Sequence, residues 1–172
     1  HEEISLVIME HLNQSFNGRL TMAIDIFRGN YKKRFLHNLV SSQLDVDRLD
    51  YLIRDSYFTG VHEGVIGYDR LIEMMDVVDD ELVIEQKGIY SVEKFIVARR
   101  VMYWQVYLHK TVVCAEQMLI RLLRRAKYLA RHDSVPACPP ALLYFLENEV
   151  DATSFRPGTP AFSNFSLLDD TD

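Results

Sequence analysis

The stretch LDVDRLDYLIRDSYFTGV, Leu44 to Val61, constrains this chain more than any other part of it. It holds four aspartates, two arginines and two tyrosines among apolar residues spaced for a helix. At 100° per residue, Asp47, Arg48, Tyr51 and Asp55 fall within an arc of about 100°. Leu49, Leu52 and Ile53 fall on the opposite side, so the segment predicts a helix with an apolar back for a core and a polar front. Asp50 and Arg54 lie on the flank at i,i+4, the spacing of a surface ion pair.

The rest of the chain extends the helical pattern. His1 to Phe16 carries Ile4, Val7, Ile8 and Leu12 on one stripe, broken at Asn17-Gly18. Tyr31 to Ser42, Asp45 to Tyr57 and Tyr68 to Val77 read as further helices. A Gly-rich loop at Gly60, Gly64 and Gly67 follows the charged segment. ELVIEQKGIYS predicts a small β-hairpin turning at Gln86-Lys87-Gly88. From Ser91, a suitable N-cap, the pattern stays helical to about His132, with basic residues crowding the far end. Pro136, Pro139 and Pro140 end it, and a short helix over Ala141 to Glu149 precedes a polar, Pro-rich tail. The expected class is all-α with a small β-hairpin, organised as a helical region over 1–132 and a Pro-rich segment over 133–172.

Composition narrows the function classes. At 172 residues the chain can bury a core. Its formal net charge of −6 argues against broad binding to nucleic acid or anionic membranes. Two cysteines, Cys114 and Cys138, are too few for a disulfide framework or a cysteine-rich zinc site, which favours a reducing cytoplasm. No apolar run approaches the roughly 18 residues that span a bilayer. The first residues already lie inside a helical pattern, so the chain reads as a piece of a longer protein.

The polar front of Asp45 to Tyr57 combines carboxylates that suit a divalent metal, a guanidinium that suits phosphate, and a phenol able to hydrogen-bond phosphate or sugar oxygens. On spacing alone a solvated, ion-paired face is the favoured reading. A partner face is available later in the chain, where Arg99, Tyr103 and Tyr107 follow at i, i+4 and i+8 with Lys110 beyond. Half-buried core aromatics are the alternative reading of those tyrosines.

The string SSQLDVDRLDYLIRDSYFTGV resembles the signature region of HD-domain phosphohydrolases, in particular the deoxynucleoside triphosphate triphosphohydrolase branch. HEEISLVIMEHLN resembles the same family's H-E-x-x-S helix. FIVARRVMYWQVYLHKTV resembles a later helix that contributes an arginine and, eight residues on, a tyrosine. The three blocks occur in the family's order and cover the first few residues and about Leu6 to Leu129.

The resemblance implies roles residue by residue. Asp47 would be the last metal-ligating aspartate of the family's H…HD…D set. Arg48, Tyr51 and Arg99 would contact the phosphates. Asp55 and Tyr107 would hold the deoxyribose. His1, oriented by Glu2, would handle protons. The implied cofactor is a divalent metal ion such as Mg, Mn, Fe, Ni or Zn, and the implied reaction converts a dNTP to deoxynucleoside and triphosphate. The implied partners are a deoxynucleoside triphosphate or related phosphate ester, further copies in a homo-oligomer (dimer or tetramer), and an effector nucleotide, with Arg70 a weak match to an effector-site residue. Two alternatives stand beside this: another HD phosphohydrolase acting on phosphate esters, and a non-catalytic regulatory or oligomerisation fragment.

The family's first histidine and its His-Asp pair would precede His1. The chain's own His-Asp dipeptide, His132-Asp133, follows Asp47 and reads as a helix terminus rather than a ligand pair. With three of four ligands missing, this chain by itself is expected to bind no metal tightly and to hydrolyse nothing. His11, His37, His62 and His109 lack partners at zinc-ligand spacing. His62-Glu63 sits in the Gly-rich loop where it could meet a base. The basic run Arg121 to Arg131 reads as a solvated helix face, with an effector nucleotide or single-stranded nucleic acid as its alternative ligand.

Overall fold

A computed structural model describes residues 2–132 and 137–169. Along the chain run α1 (Glu2–Ser15), α2 (Thr21–Phe27), α3 (Arg34–Val40), α4 (Val46–Thr59), α5 (Tyr68–Glu73), β1 (Met75–Val78), β2 (Glu81–Ile84), α6 (Ile89–Met102), α7 (Lys110–His132), α8 (Pro140–Glu147) and α9 (Pro160–Phe165). Helices dominate and the strands form one antiparallel pair, as the pattern predicts. Two compact units make up the chain: residues 18–113, and residues 1–17 together with 114–172.

The 18–113 unit is built around α4 and α6. Asp45 stands just before α4 in extended conformation, and its Oδ1 accepts the Arg48 backbone N–H at 2.8 Å. Gly60 ends the helix at φ +70°, a left-handed position that costs a glycine little. Leu49 and Leu52 of α4 are buried against Leu71 of α5 and Phe95, Ala98 and Met102 of α6. Leu52, Leu71 and Met102 have no solvent exposure, and each such burial stabilises the fold by about 1.5–3 kcal/mol. The apolar back read from the sequence is therefore the core face of α4. Ile53 is half-buried on the same helix.

The hairpin exists but turns elsewhere. Met75 pairs with Ile84 and Val78 with Glu81, so Asp79 and Asp80 form the turn, at φ +51° and +63°. Two-residue hairpin turns with both central residues left-handed match the twist of the strands, and aspartate tolerates that region. The expected turn at Gln86-Lys87-Gly88 is a short 3₁₀ turn leading into α6, and the expected helix from Tyr68 stops at Glu73 where β1 begins. The hairpin is tied to α3: Asn38 donates to Glu81 at 3.0 Å, and Asp80 accepts the Arg34 backbone N–H at 2.8 Å.

The long helix expected from Ser91 to His132 is also corrected. Helix α6 begins at Ile89, two residues before the expected cap, and passes into a π turn over Tyr103–Tyr107. The Leu108 N–H donates to the Tyr103 carbonyl at 2.7 Å, the i→i+5 bond of that turn. The His109 ring then accepts the Thr111 N–H at 3.3 Å at the start of α7. One apolar period runs across the whole stretch, so periodicity alone does not show the break.

In the second unit, α1 presents no fully buried residue. The His11 ring meets Phe162 of α9 edge-on at 5.3 Å, and Phe162 and Ala161 are buried. Glu149 pairs with Arg131 and Lys127 of α7. Thr159 caps α9 by accepting the Phe162 N–H. That helix lies in the stretch expected to be a polar Pro-rich tail.

Candidate active site

The polar front of α4 and the π turn after α6 meet within the 18–113 unit. The Tyr107 hydroxyl donates to Asp55 Oδ2 at 2.7 Å. The Tyr107 ring packs edge-on against Tyr51 at 6.1 Å and Tyr103 at 5.1 Å. The Arg99 guanidinium lies over the Tyr103 ring at 5.5 Å. Thus Tyr51, Asp55, Arg99 and Tyr107, four of the residues expected at a site, form one connected cluster. All four are half-buried, neither sealed in the core nor free in solvent.

Electrostatics fit a site that holds a charged and a neutral group side by side. The Tyr51 phenol, with a smaller contribution from Tyr103, holds Arg99 charged and raises its pKa against the opposing effect of burial. Burial, reinforced by the hydrogen bond to Asp55, pushes the Tyr107 phenol well above its ordinary range, so it stays a donor into alkaline pH. The Arg99 Nε is buried without a hydrogen-bond partner. A buried donor on a cation is costly to leave unmet, and an oxyanion or carbonyl oxygen satisfies it.

The remaining expected residues lie elsewhere. Arg48 is half-buried and its guanidinium is bound by the Asp45 carboxylate and the Ser42 carbonyl at the cap of α4. Asp47 is exposed in the first turn of that helix. Among the described residues no three His, Cys, Asp or Glu side chains gather where they could hold a metal ion. A lone exposed carboxylate does not fit a divalent cation, which takes several oxygen ligands. Glu2 is exposed at the start of α1, and His1 lies outside the described residues.

The other candidates resolve as local structure. The His132 ring is hydrogen-bonded to the Tyr128 carbonyl at 2.9 Å and stacked on the Tyr128 ring at 4.4 Å, as a helix-end histidine would be. Asp133 lies outside the described residues. His62 and Glu63 are exposed in the 3₁₀ turn after α4, and Arg70 is exposed on α5. Asp50 and Arg54 form the surface pair their spacing predicts, at 2.9 Å. Two contributors were missed as site residues. Tyr103, which links Arg99 to Tyr107, was legible only as a member of their helical face. Asp45 was read as helix rather than as its cap, although an aspartate directly before an apolar periodic run is a capping signal.

The described residues contain no helix long and apolar enough to cross a membrane.

Comparison with known proteins bears on the family. The sequence profile of the HD associated region matches residues 66–135. The crystal structure of a phosphohydrolase from Bacteroides thetaiotaomicron superimposes with a TM-score of 0.96 and 58% identity, over 100% of this chain and 43% of that one. The uncharacterized protein YwfO of Bacillus subtilis is 42% identical over 109 residues, 63% of this chain and 25% of its own length. The deoxynucleoside triphosphate triphosphohydrolase SAMHD1 homolog of Dictyostelium discoideum is 28% identical over 131 residues, 69% of this chain and 25% of that protein. The chain spans less than half the length of these relatives. Helical architecture, signature segment and relatives converge on one resemblance: the chain carries the HD associated region over residues 66–135 and is similar to HD-domain phosphohydrolases.

Proposed function

We propose that this chain supplies the substrate-holding face of an enzyme that hydrolyses deoxynucleoside triphosphates to deoxynucleoside and inorganic triphosphate. The observation that carries the reading is the Tyr107–Asp55 hydrogen bond set beside a charged, incompletely satisfied Arg99. Asp55 has one carboxylate oxygen free of that bond, able to accept a sugar hydroxyl, while the Tyr107 ring is assigned to pack against the sugar at the position where the family resemblance implies that ribose is excluded. Arg99 offers its donors to the phosphate oxygens, where charge grows as the reaction proceeds. Tyr51 hydrogen-bonds the same phosphates, whereas Arg48 is engaged by Asp45 and Ser42 at the cap of α4.

In the reaction, water adds to the α-phosphorus, the bond from phosphorus to the 5′ oxygen breaks, and a proton reaches the departing 5′ oxygen. His1, with Glu2, is assigned that proton transfer. The divalent ion belongs to the proposal for the longer protein, to which Asp47 contributes a single carboxylate. Substrate holding by this face does not depend on it.

The full-length protein incubated with dGTP is expected to release triphosphate and deoxyguanosine. Orthophosphate release from a generic phosphate ester, with dGTP left intact, would establish the other phosphohydrolase class instead. Loss of assembly but not turnover in Tyr107→Ala and Asp55→Ala would support a structural role for the cluster.

Assembly into a homo-oligomer is favoured by α7, whose Met118, Leu119 and Leu122 are more than half exposed. Sedimentation of full-length Leu119→Glu is expected to show a smaller particle than the unsubstituted protein. An unchanged particle would remove α7 from the interface.

A further inference from the structure

We infer that the outer flank of α4 is a two-fold interface between copies of this chain, across which α4 packs antiparallel to itself. The inference is independent of the proposed function. Val46, Asp50, Arg54 and Phe58 stand at successive i,i+4 positions and form one ridge along the helix. With Tyr68 and Ile72 of α5 they line a groove of about 620 Å³.

The groove presents a contiguous apolar surface to water. Tyr57 and Phe58 are 81% and 79% exposed, and their rings meet edge-on at 5.3 Å. Val46, Tyr68 and Ile72 are exposed as well. Single exposed apolar side chains are ordinary, but a group of them lining one groove marks a contact surface. This flank is neither the core face of α4, which Leu49 and Leu52 occupy, nor the front that carries Tyr51 and Asp55.

The order of charges along the ridge selects the occupant. It runs apolar, acidic, basic, apolar, and Val46 and Phe58 lie equally far from the midpoint between Asp50 and Arg54. A second copy running antiparallel reverses that order. Asp50 then faces Arg54 of the second copy, Arg54 faces its Asp50, and Val46 and Phe58 meet at both ends. A two-fold interface requires this reciprocity, and interdigitated i,i+4 ridges are the commonest packing between helices. Asp50 and Arg54 pair within one chain at 2.9 Å, yet their side chains are 64% and 54% exposed, so each keeps capacity for a second partner. One acid and one base leave the ridge without net charge, which gives it no attraction to an anionic membrane or a nucleic acid. The flank is separate from the exposed α7 residues Met118, Leu119 and Leu122, which belong to the other unit.

Charge exchange in the full-length protein, read by sedimentation, tests the assignment. The unsubstituted protein is expected to be an oligomer. Asp50→Arg and Arg54→Asp are each expected to halve its mass, because the charges that meet across the axis become alike. Mixing the two variants in equal amounts is expected to restore the larger particle, since opposite charges then meet between copies while each chain keeps its own like-charged pair. Unchanged mass in both single variants, or a monomeric unsubstituted protein, would overturn the interface. A mixture that stays at the lower mass would overturn it too; recovery only in the doubly exchanged chain would place the cover of the groove within the chain. A cross-link serves if the charge variants do not fold. Val46 and Phe58 are about 18 Å apart along one helix, too far for a disulfide within a chain. Oxidised Val46→Cys/Phe58→Cys is therefore expected to form a covalent dimer beyond any seen with the unsubstituted protein, and its absence would overturn the interface.

Discussion

The hydroxyl of Tyr107 is hydrogen-bonded to the carboxylate of Asp55 at 2.7 Å across 52 residues of sequence, joining α4 to the π turn that follows α6. Tyr107→Phe removes this donor and leaves a half-buried carboxylate with one partner fewer. The substitution is expected to lower stability by about 1 kcal/mol, since the site is partly solvated. It is also expected to weaken deoxynucleotide binding in the full-length protein. Denaturant titration reads the first effect, and a stability indistinguishable from that of the unsubstituted chain would show that the bond contributes nothing net.

Alkaline titration offers a second test. Burial and Asp55 hold the Tyr107 phenol above its ordinary value. A pKa raised in the folded state means stabilisation that is complete below the unfolded value, about pH 10, and is lost as pH climbs through the raised native value. Tyr107 is expected to resist ionisation, seen as a late phenolate absorbance step. Tyr107→Phe should delete that step; its survival would place the resistant phenol elsewhere.

Asp45 is 4% exposed and serves several groups at once. It accepts the Arg48 N–H at 2.8 Å and the Ser42 N–H at 3.3 Å, and it pairs with the Arg48 guanidinium. Asp45→Ala is expected to cost about 1–3 kcal/mol, combining a lost cap with an unpaired guanidinium. Asp45→Asn, which keeps the capping oxygen, should recover part of that cost. Equal melting temperatures for the two variants would show that the capping oxygen contributes little beside the pairing with Arg48.

Gly64 is buried where the 3₁₀ turn after α4 touches the core. A Cβ there would sit 2.8 Å from Met102 Sδ and 2.9 Å from Ser56 Cβ. Met102 can shift, but Ser56 is held by its hydrogen bond to the Val61 carbonyl at 2.7 Å. Gly64→Ala is expected to destabilise by about 1–3 kcal/mol through overpacking, read by thermal unfolding. Gly67→Ala, with open space around its Cβ position, is the neutral control.

Within α4, nearly everything was legible from residue order. Helical geometry repeats every turn, so the identity of each residue sets the face it occupies, and burial of Leu49 and Leu52 against exposure of Asp47 and Arg54 follows. The helical class, the Asp50–Arg54 pair and the secondary nature of His132 follow from the same local rules. Local rules were less able to choose between near-equal options. The hairpin turned at Asp79-Asp80 instead of at Gln86-Lys87-Gly88, because cross-strand pairing and the anchors on Asn38 and Arg34 reward that register.

Only the tertiary structure decided what the polar residues do. Asp47, Arg48, Tyr51 and Asp55 share one arc of a helix, yet their fates diverge: one is exposed, one serves the cap, and two join the cluster. The meeting of Asp55 with Tyr107 required the chain to return after about fifty residues. Periodicity acts over a few residues and dictates direction around a helix axis. Which distant side chain waits there is set by how α4 and α6 pack, and that information is distributed over the whole core.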